Sequence, residues 1–392
     1  MAGEREYDLV LFGATGFTGG LTAEYLAAHG PAGLRWALAG RNRAKLEAVA
    51  ARLAARRSEV PPPALLEADA ADAAALAGIA GATRVVLTTV GPYALHGGPL
   101  VAACAAAGTD YADLTGEPEF VDRTYLEDDA TAQASGARLV HCCGFDSVPH
   151  DLGAYFTLLQ LPEGVPVRID GYVRSNARFS GGTYHSAVNA FARGRQTLDA
   201  ARRRKAVEPR PAGRRVHAAR ARIHRDEALG GWTAPLPTID GTIVRRSAAL
   251  VDRYGPDFTY GHHVVARHLA TIAGMAAGVG TIAVLAPIPP VRRLLLKAKA
   301  PGEGPSAATR ADSWFKVRFV GEGGGRRVVT EVSGGDPGYT ETSKILAECG
   351  LCLAFDDLPE RAGQLTTVAA MGDVLLTRLQ NAGIAFRVLE TA

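Results

Sequence analysis

Hydrophobic and polar positions change rhythm along this chain, and each change marks an element. Leu9–Phe12 is an apolar run that stops at a glycine, too short for a helix, and it predicts a buried strand. A helical spacing of apolar residues follows from Leu21 to Ala28. The alternation then repeats, with strands predicted at Arg35–Ala39, Ala64–Ala68, Arg84–Val90, Tyr111–Leu114 and Arg138–Cys143. Helical patterns near Ala44–Arg57, Ala71–Ile79 and Pro99–Ala107, and one more before the last strand, separate them. Successive strand–helix units of this kind predict a doubly wound parallel sheet with helices on both faces.

Past about residue 148 the rhythm is different. Val165–Ser175, Trp314–Val320 and Arg327–Ser333 alternate as strands do, and the last two flank Gly321-Glu322-Gly323-Gly324-Gly325 as a hairpin. Helical stretches at Tyr339–Ala354 and Leu365–Asn381 close the chain. The expectation is therefore an α/β protein. Residues 1–148 form a Rossmann domain, 149–338 an α+β domain with a mostly antiparallel sheet over the cleft, and 339–392 helices that pack back on the first domain.

The turn after the first strand carries the chemistry. Gly13-Ala14-Thr15-Gly16-Phe17-Thr18-Gly19 spaces glycines so that backbone can approach a pyrophosphate, and the following helix directs its first N–H groups at the anion. The second strand ends in Gly40-Arg41-Asn42-Arg43, where an NAD-preferring chain would carry an acid; the first acid is Glu47. Guanidinium groups there suit a ribose 2′-phosphate and predict NADP(H). Asn42, Asp69 after the third strand and Val90-Gly91-Pro92 after the fourth complete the expected cofactor contacts.

Composition narrows the function classes. A net charge of +3 on 392 residues gives no reason to expect a nucleic-acid partner. Five cysteines with no paired framework predict a reduced, cytoplasmic chain, and Cys349-x-x-Cys352 has no second pair or histidine to complete a metal site. Glu4, Arg5, Glu6 and Asp8 precede any apolar core, so no signal peptide is expected. From Arg193 to Arg225 twelve Arg or Lys stand against Asp199 and Glu208, reading as a solvated face or a dock for an anionic partner. Leu269–Ala286 carries no charge and leads into Arg292-Arg293-Leu294-Leu295-Leu296-Lys297. Rich in alanine and glycine, it predicts a buried or interfacial helix hairpin, with 269–297 suited to a lipid-tailed substrate or peripheral membrane contact.

Proton donors for hydride chemistry are sought at the carboxyl edge of the predicted sheet. Tyr93 and His96 follow the fourth strand, and Tyr184 and His185 follow Ser180-Gly181-Gly182-Thr183 in the second domain. Asp146 reads as a helix cap or as the orienter of an acid, Asp113, Thr115 and Glu117 as a polar turn network, and Cys142 and Cys143 as core.

Taken together, the chain resembles the saccharopine-dehydrogenase-like oxidoreductases, in particular the trans-acting enoyl reductase branch. The resemblance rests on the glycine turn, Leu38-Ala39-Gly40-Arg41, Gly91-Pro92-Tyr93, Tyr111-Ala112-Asp113-Leu114-Thr115-Gly116-Glu117 and Gly144-Phe145-Asp146-Ser147-Val148-Pro149. Ser180–Thr183, Pro301–Ser306 and Asp336-Pro337-Gly338-Tyr339 extend it. It implies an NADP-binding Rossmann domain followed by an α+β domain that shapes the substrate cleft, without fixing the substrate. The expectation is an NADP(H)-dependent enzyme that reduces a C=C bond of a lipid-like or carrier-bound enoyl substrate. Two alternatives remain: a C–N dehydrogenase clamping its substrate with Arg174 and Arg178, and a non-catalytic NADP-binding or lipid-surface protein. A homodimer is compatible with all three.

Overall fold

The computed structural model describes residues 5–55, 59–177, 181–220, 222–297 and 304–391. Strands β1 (Tyr7–Phe12), β2 (Trp36–Gly40), β3 (Ala64–Glu67), β4 (Thr83–Thr88), β5 (Asp110–Asp113) and β6 (Arg138–Val140) come from the N-terminal part. The second part supplies β7 (Val167–Ser175), β8 (Arg215–Ala218), β9 (His224–Asp226), β10 (Gly231–Pro235), β11 (Asp257–Ala266), β12 (Phe315–Gly323) and β13 (Arg326–Gly334). Last come β14 (Gly363–Leu365) and β15 (Ala385–Thr391).

The first sheet is parallel and runs β14-β6-β5-β4-β1-β2-β3. Leu9, Val10 and Leu11 of its central strand are fully buried, which an apolar run requires when both faces are covered by helices. The second sheet runs β15-β13-β12-β7-β11-β10-β9, with β8 on β11. It is mixed: β7 and β8 pair with β11 in parallel, and the remaining neighbours are antiparallel. Its hairpin turns at Gly324 and Gly325, with φ of +60° and +78°.

Helix Val148–Leu158 follows β6 and packs on the second sheet against β7, β12 and β13, and on helices Asp240–Leu250 and Thr367–Asn381. Val148, Leu152, Ala154 and Leu158 are fully buried, and a Cβ on Gly153 would lie 2.3 Å from the Phe319 ring of β12. Truncating Leu152 to alanine at such a site costs about 2–5 kcal/mol. C-terminal segments return to the first sheet: β14 extends it beside β6, and helix Thr340–Phe355 packs on helix Phe17–His29, where Tyr25 donates to Glu348 at 2.7 Å.

One expectation needs correction. Helix Leu269–Leu285 is not buried; Ile272 alone within it is, and from Ala273 to Thr281 every residue is exposed. The basic stretch after Arg193 is mostly a solvent-exposed face, as expected: nine of its twelve Arg or Lys are exposed, while Arg193 pairs with Glu119 at 2.5 Å and buried Arg204 binds Gln364 and Glu208 at 2.6 Å. No helix among the described residues is long and apolar enough to cross a membrane.

Candidate active site

The chain leaves β1 through Gly13 at φ +90°, a region side chains avoid. A Cβ there would meet Val90 Cγ2 at 2.7 Å and Thr89 Oγ1 at 2.8 Å. Gly19 is tighter still, since its Cβ would fall 2.2 Å from the Gly13 carbonyl oxygen. Gly16 caps helix Phe17–His29 without a side-chain bond, so no cap competes for the first-turn N–H groups. Ala14 is buried, Thr15 is partly buried, and the Thr18 carbonyl accepts the hydroxyls of Thr22 and Ser343. This is a cradle of bare backbone at a helix start, and it fits a dinucleotide pyrophosphate.

Phe17 is covered from the other side of the cleft. Tyr339 meets it edge-on at 4.9 Å, and the Arg310 guanidinium lies 5.3 Å from the ring centre. A Cβ on Gly304 would strike the same ring at 2.2 Å. The Tyr339 hydroxyl in turn accepts the Gly181 N–H at 3.0 Å.

At the adenosine end the two arginines part company. Arg43 donates to Glu47 and to the Leu65 carbonyl at 3.0 Å each, on the exposed surface. Asn42 caps helix Arg43–Ala54 through the Lys45 N–H. Arg41 is exposed and, among the described residues, has no hydrogen bond or ion pair, so its guanidinium is available to a 2′-phosphate. Asp69 is exposed beyond β3 and accepts the Ala71 N–H at 2.9 Å.

Beyond β4, Val90 is half-buried, with its N–H on Thr88 Oγ1, and Gly91 and Pro92 lead into the single helical turn Tyr93–His96. Glu117 holds that turn, accepting the N–H groups of Tyr93 and Ala94 at 3.0 and 2.9 Å. Tyr93 does not fit the role of proton donor expected of it. Its buried hydroxyl donates to the Thr88 carbonyl and accepts the Leu114 N–H, and burial beside Asp113 pushes its pKa well above the phenol range. His96 is exposed at the end of the turn. Tyr184 is also spent, donating to the Leu295 carbonyl at 3.2 Å, and His185 beside it is partly buried. Ser180 and Arg178 lie outside the described residues, as do 301–303; Arg174 donates to the Leu229 carbonyl.

Asp113 is a structural hub. Its carboxylate accepts Tyr111, Thr115 N–H and Cys142 N–H and faces His141 Nδ1 at 2.7 Å. Cys142 is fully buried at φ +63°, and burial with the Asp113 charge pushes its thiol far above the thiolate range.

A group that the sequence reading did not assemble joins two helices to β11 of the second sheet. His150 stands in the first turn of helix Val148–Leu158, Asp240 opens helix Asp240–Leu250 and His262 lies mid-strand in β11. His262 Nε2 is 3.2 Å from Asp240 Oδ2, and the rings of His150 and His262 meet edge-on at 4.9 Å. His150 Nδ1 is buried without a hydrogen-bond partner among the described residues. Asp146, four residues before His150, is partly buried with its carboxylate beside Gly116 in the loop after β5. It does not cap helix Val148–Leu158, whose cap position is Ser147.

Asp146, Asp240 and His150 are driven apart in protonation. Burial, and then the Asp240 charge, raises the Asp146 carboxyl to about 7. Burial opposes ionisation of Asp240 too, but His150, His262 and the Thr238 hydroxyl outweigh it and hold its pKa below the ordinary value. Burial pushes His150 down to about 4. One acid kept neutral beside one kept ionised is an arrangement suited to proton transfer at neutral pH. His150, Asp240 and His262 also offer ligand atoms all within 4.8 Å of one another. Thr238 and Ser147 hydroxyls already approach both Asp240 oxygens, which suits a proton-handling group better than a metal centre. The one sequence signal for it was polar His262-His263 inside an otherwise apolar strand.

The comparisons agree with this frame. The family model described as the saccharopine dehydrogenase NADP binding domain matches residues 9–140. A Mycobacterium tuberculosis protein, provisionally named a trans-acting enoyl reductase, is 40% identical, with 99% of each chain covered. The chain belongs to this family. Another member, the trans-acting enoyl reductase of Mycobacterium ulcerans, is 36% identical over 97% of each chain. Among solved structures, saccharopine dehydrogenase (L-Glu forming) from Saccharomyces cerevisiae aligns with TM-score 0.55 at 12% identity, covering 97% of this chain and 99% of that one, and shares the fold. The protein is an NADP(H)-dependent oxidoreductase of the saccharopine-dehydrogenase-like type.

Proposed function

We propose that this enzyme reduces the C=C bond of an enoyl thioester carried on an acyl carrier, with a lipid-like chain as the acyl group. NADPH supplies the hydride that adds to the β carbon, and the protein must deliver a proton to the α carbon while leaving the thioester intact. Asp146 is the proton donor in this reading. Its carboxyl is neutral up to about pH 7 and stands after β6 at the carboxyl edge of the first sheet, beside Gly116 in the loop after β5. Asp240, flanked by His150 and His262, keeps that proton in place by its charge and is the route for replacing it. His96 and His185 remain second candidates for donation, since neither is buried in the core.

The observation that carries the proposal is the acid–imidazole group, linked toward the glycine turn through Phe145, which meets His150 edge-on and donates its N–H to Thr342, next to the Ser343 that binds the Thr18 carbonyl, together with relatives named for trans-acting enoyl reduction. The C–N alternative wants free arginines in the cleft, and Arg174 is instead exposed and bonded to Leu229. The deciding experiment follows NADPH consumption with enoyl thioesters on a carrier or on a short pantetheine mimic, against imines and amino-acid adducts, with NADH as control. Turnover of enoyl thioesters that Asp146→Asn abolishes, with NADPH binding retained, supports the proposal. Turnover of imines alone would replace it with the C–N reading, and no turnover with tight NADPH binding would favour a non-catalytic role.

A further inference from the structure

Helices Leu269–Leu285 and Pro289–Lys297 stand out from the molecule with their apolar side chains in solvent. Val284 is 70% exposed, Leu294 69% and Val279 49%, and Leu269, Met275 and Ile288 join them. Isolated exposed leucines are ordinary, but a continuous apolar surface of this length marks an interaction site. We propose that this helix pair docks the enzyme onto an anionic lipid bilayer, lying in the interface and not crossing it.

Three observations favour a bilayer over a protein partner. The first is the distribution of exposure: Ala273 through Thr281 are exposed at every position, hence on all sides of the helix. A protein partner or a second copy of the chain would cover one stripe, whereas a headgroup and acyl layer surrounds the cylinder. The second is charge. No Asp or Glu occurs from 258 to 302, while Arg267, Arg292, Arg293 and Lys297 flank the apolar surface and, among the described residues, form no ion pair. Basic groups beside an apolar face complement anionic headgroups. The third is polar bookkeeping: Thr281 returns its hydroxyl to the Ala277 carbonyl at 2.8 Å, so the middle of the helix presents no unsatisfied side-chain donor to lipid. The helix has 17 residues, about 26 Å at 1.5 Å per residue, short of a hydrocarbon core of about 30 Å.

The docking face is wired to the site. Tyr184 ties helix Gly181–Ala192 to helix Pro289–Lys297, and Ser186 of the same helix binds Glu117, which holds the Tyr93 turn. An acyl chain residing in the membrane therefore meets the cleft from the side on which the protein sits.

The test is flotation of the full chain with phosphatidylcholine vesicles, with and without phosphatidylglycerol, using NADPH affinity as the measure of folding. Binding is expected only with the anionic vesicles, falling with added salt. Arg292→Glu with Arg293→Glu should weaken it roughly tenfold or more, and Val279→Asp with Val284→Asp should abolish it, with NADPH affinity unchanged in both. The proposal is overturned if the chain ignores anionic vesicles at low salt, or if neither pair of substitutions alters binding. It is equally overturned if sedimentation shows a dimer that Val279→Asp dissociates, or if a carrier protein competes for the same face while vesicles do not.

Discussion

The hydroxyl of Ser186 donates to Glu117 at 2.8 Å, joining a helix of the second part of the chain to the loop after β5. The same carboxylate caps the Tyr93 turn through two N–H groups. Glu117→Ala should therefore cost about 1–3 kcal/mol, because it leaves buried N–H donors unpaired. The loss should be read as a lower thermal midpoint. Turnover should fall more than NADPH affinity, since the glycine cradle is built from other residues. Ser186→Ala, which leaves the cap intact, should do far less.

Arg41 is exposed after β2 and, among the described residues, has no hydrogen bond or ion pair. Arg41→Ala should weaken NADPH binding by roughly tenfold to a hundredfold, the value of hydrogen bonds to a charged group. NADH binding should stay where it was, so the ratio of the two affinities, measured by fluorescence titration, isolates the phosphate contact. Arg43→Ala should leave the ratio unchanged.

Glycines on this chain separate into required and incidental. Gly19→Ala places a Cβ 2.2 Å from backbone and should abolish NADPH binding. Gly78→Ala, mid-helix in Ala73–Ala82 with nothing within 4 Å of its Cβ, should raise stability by about 0.5–1 kcal/mol. Thermal melts with and without NADPH distinguish the two.

The acid–imidazole group predicts opposite pH limbs. Asp146 titrates at about 7 in the fold, so turnover should fall as pH rises through that value, and Asp146→Asn should remove the limb along with the activity. Its raised pKa also lends stability that is full below the unfolded value of about 3.9 and lost as pH climbs through about 7. His150 works the other way. Held at about 4, it refuses a proton that the unfolded chain accepts near 6.5, so its contribution is lost as pH drops through that window. His150→Gln should flatten the acid side of a stability-against-pH curve.

The cofactor half was legible because its constraints are local. Strand β1 into Gly13, Gly16 and Gly19 needs only neighbouring residues to specify it, and alternating strand and helix patterns carry the parallel sheet. The family resemblance then placed the chemistry in a class. Contacts that depend on distant segments were not legible. Arg41 and Arg43 look alike in sequence, and only the packing of Glu47 and Leu65 against the second distinguishes them. Tyr93 has the chemistry of a donor but is consumed by Thr88 and Leu114. Asp240 and His262 lie far from His150 along the chain and meet only where helix Val148–Leu158 packs beside helix Asp240–Leu250 and the second sheet. Helix Leu269–Leu285 has the composition of a core helix and the surroundings of a surface one, since apolarity alone does not say what covers it.

Strand β14 has a consequence for biosynthesis. Gly363–Leu365 seals the β6 edge of the cofactor-binding sheet, yet the ribosome delivers it more than two hundred residues after that edge. Until it arrives, the amino-terminal half presents an unpaired strand to its surroundings, the kind of edge that invites aggregation. Maturation is thus gated by the tail, and a truncation before residue 363 should yield inclusion bodies in place of a free-standing nucleotide-binding module.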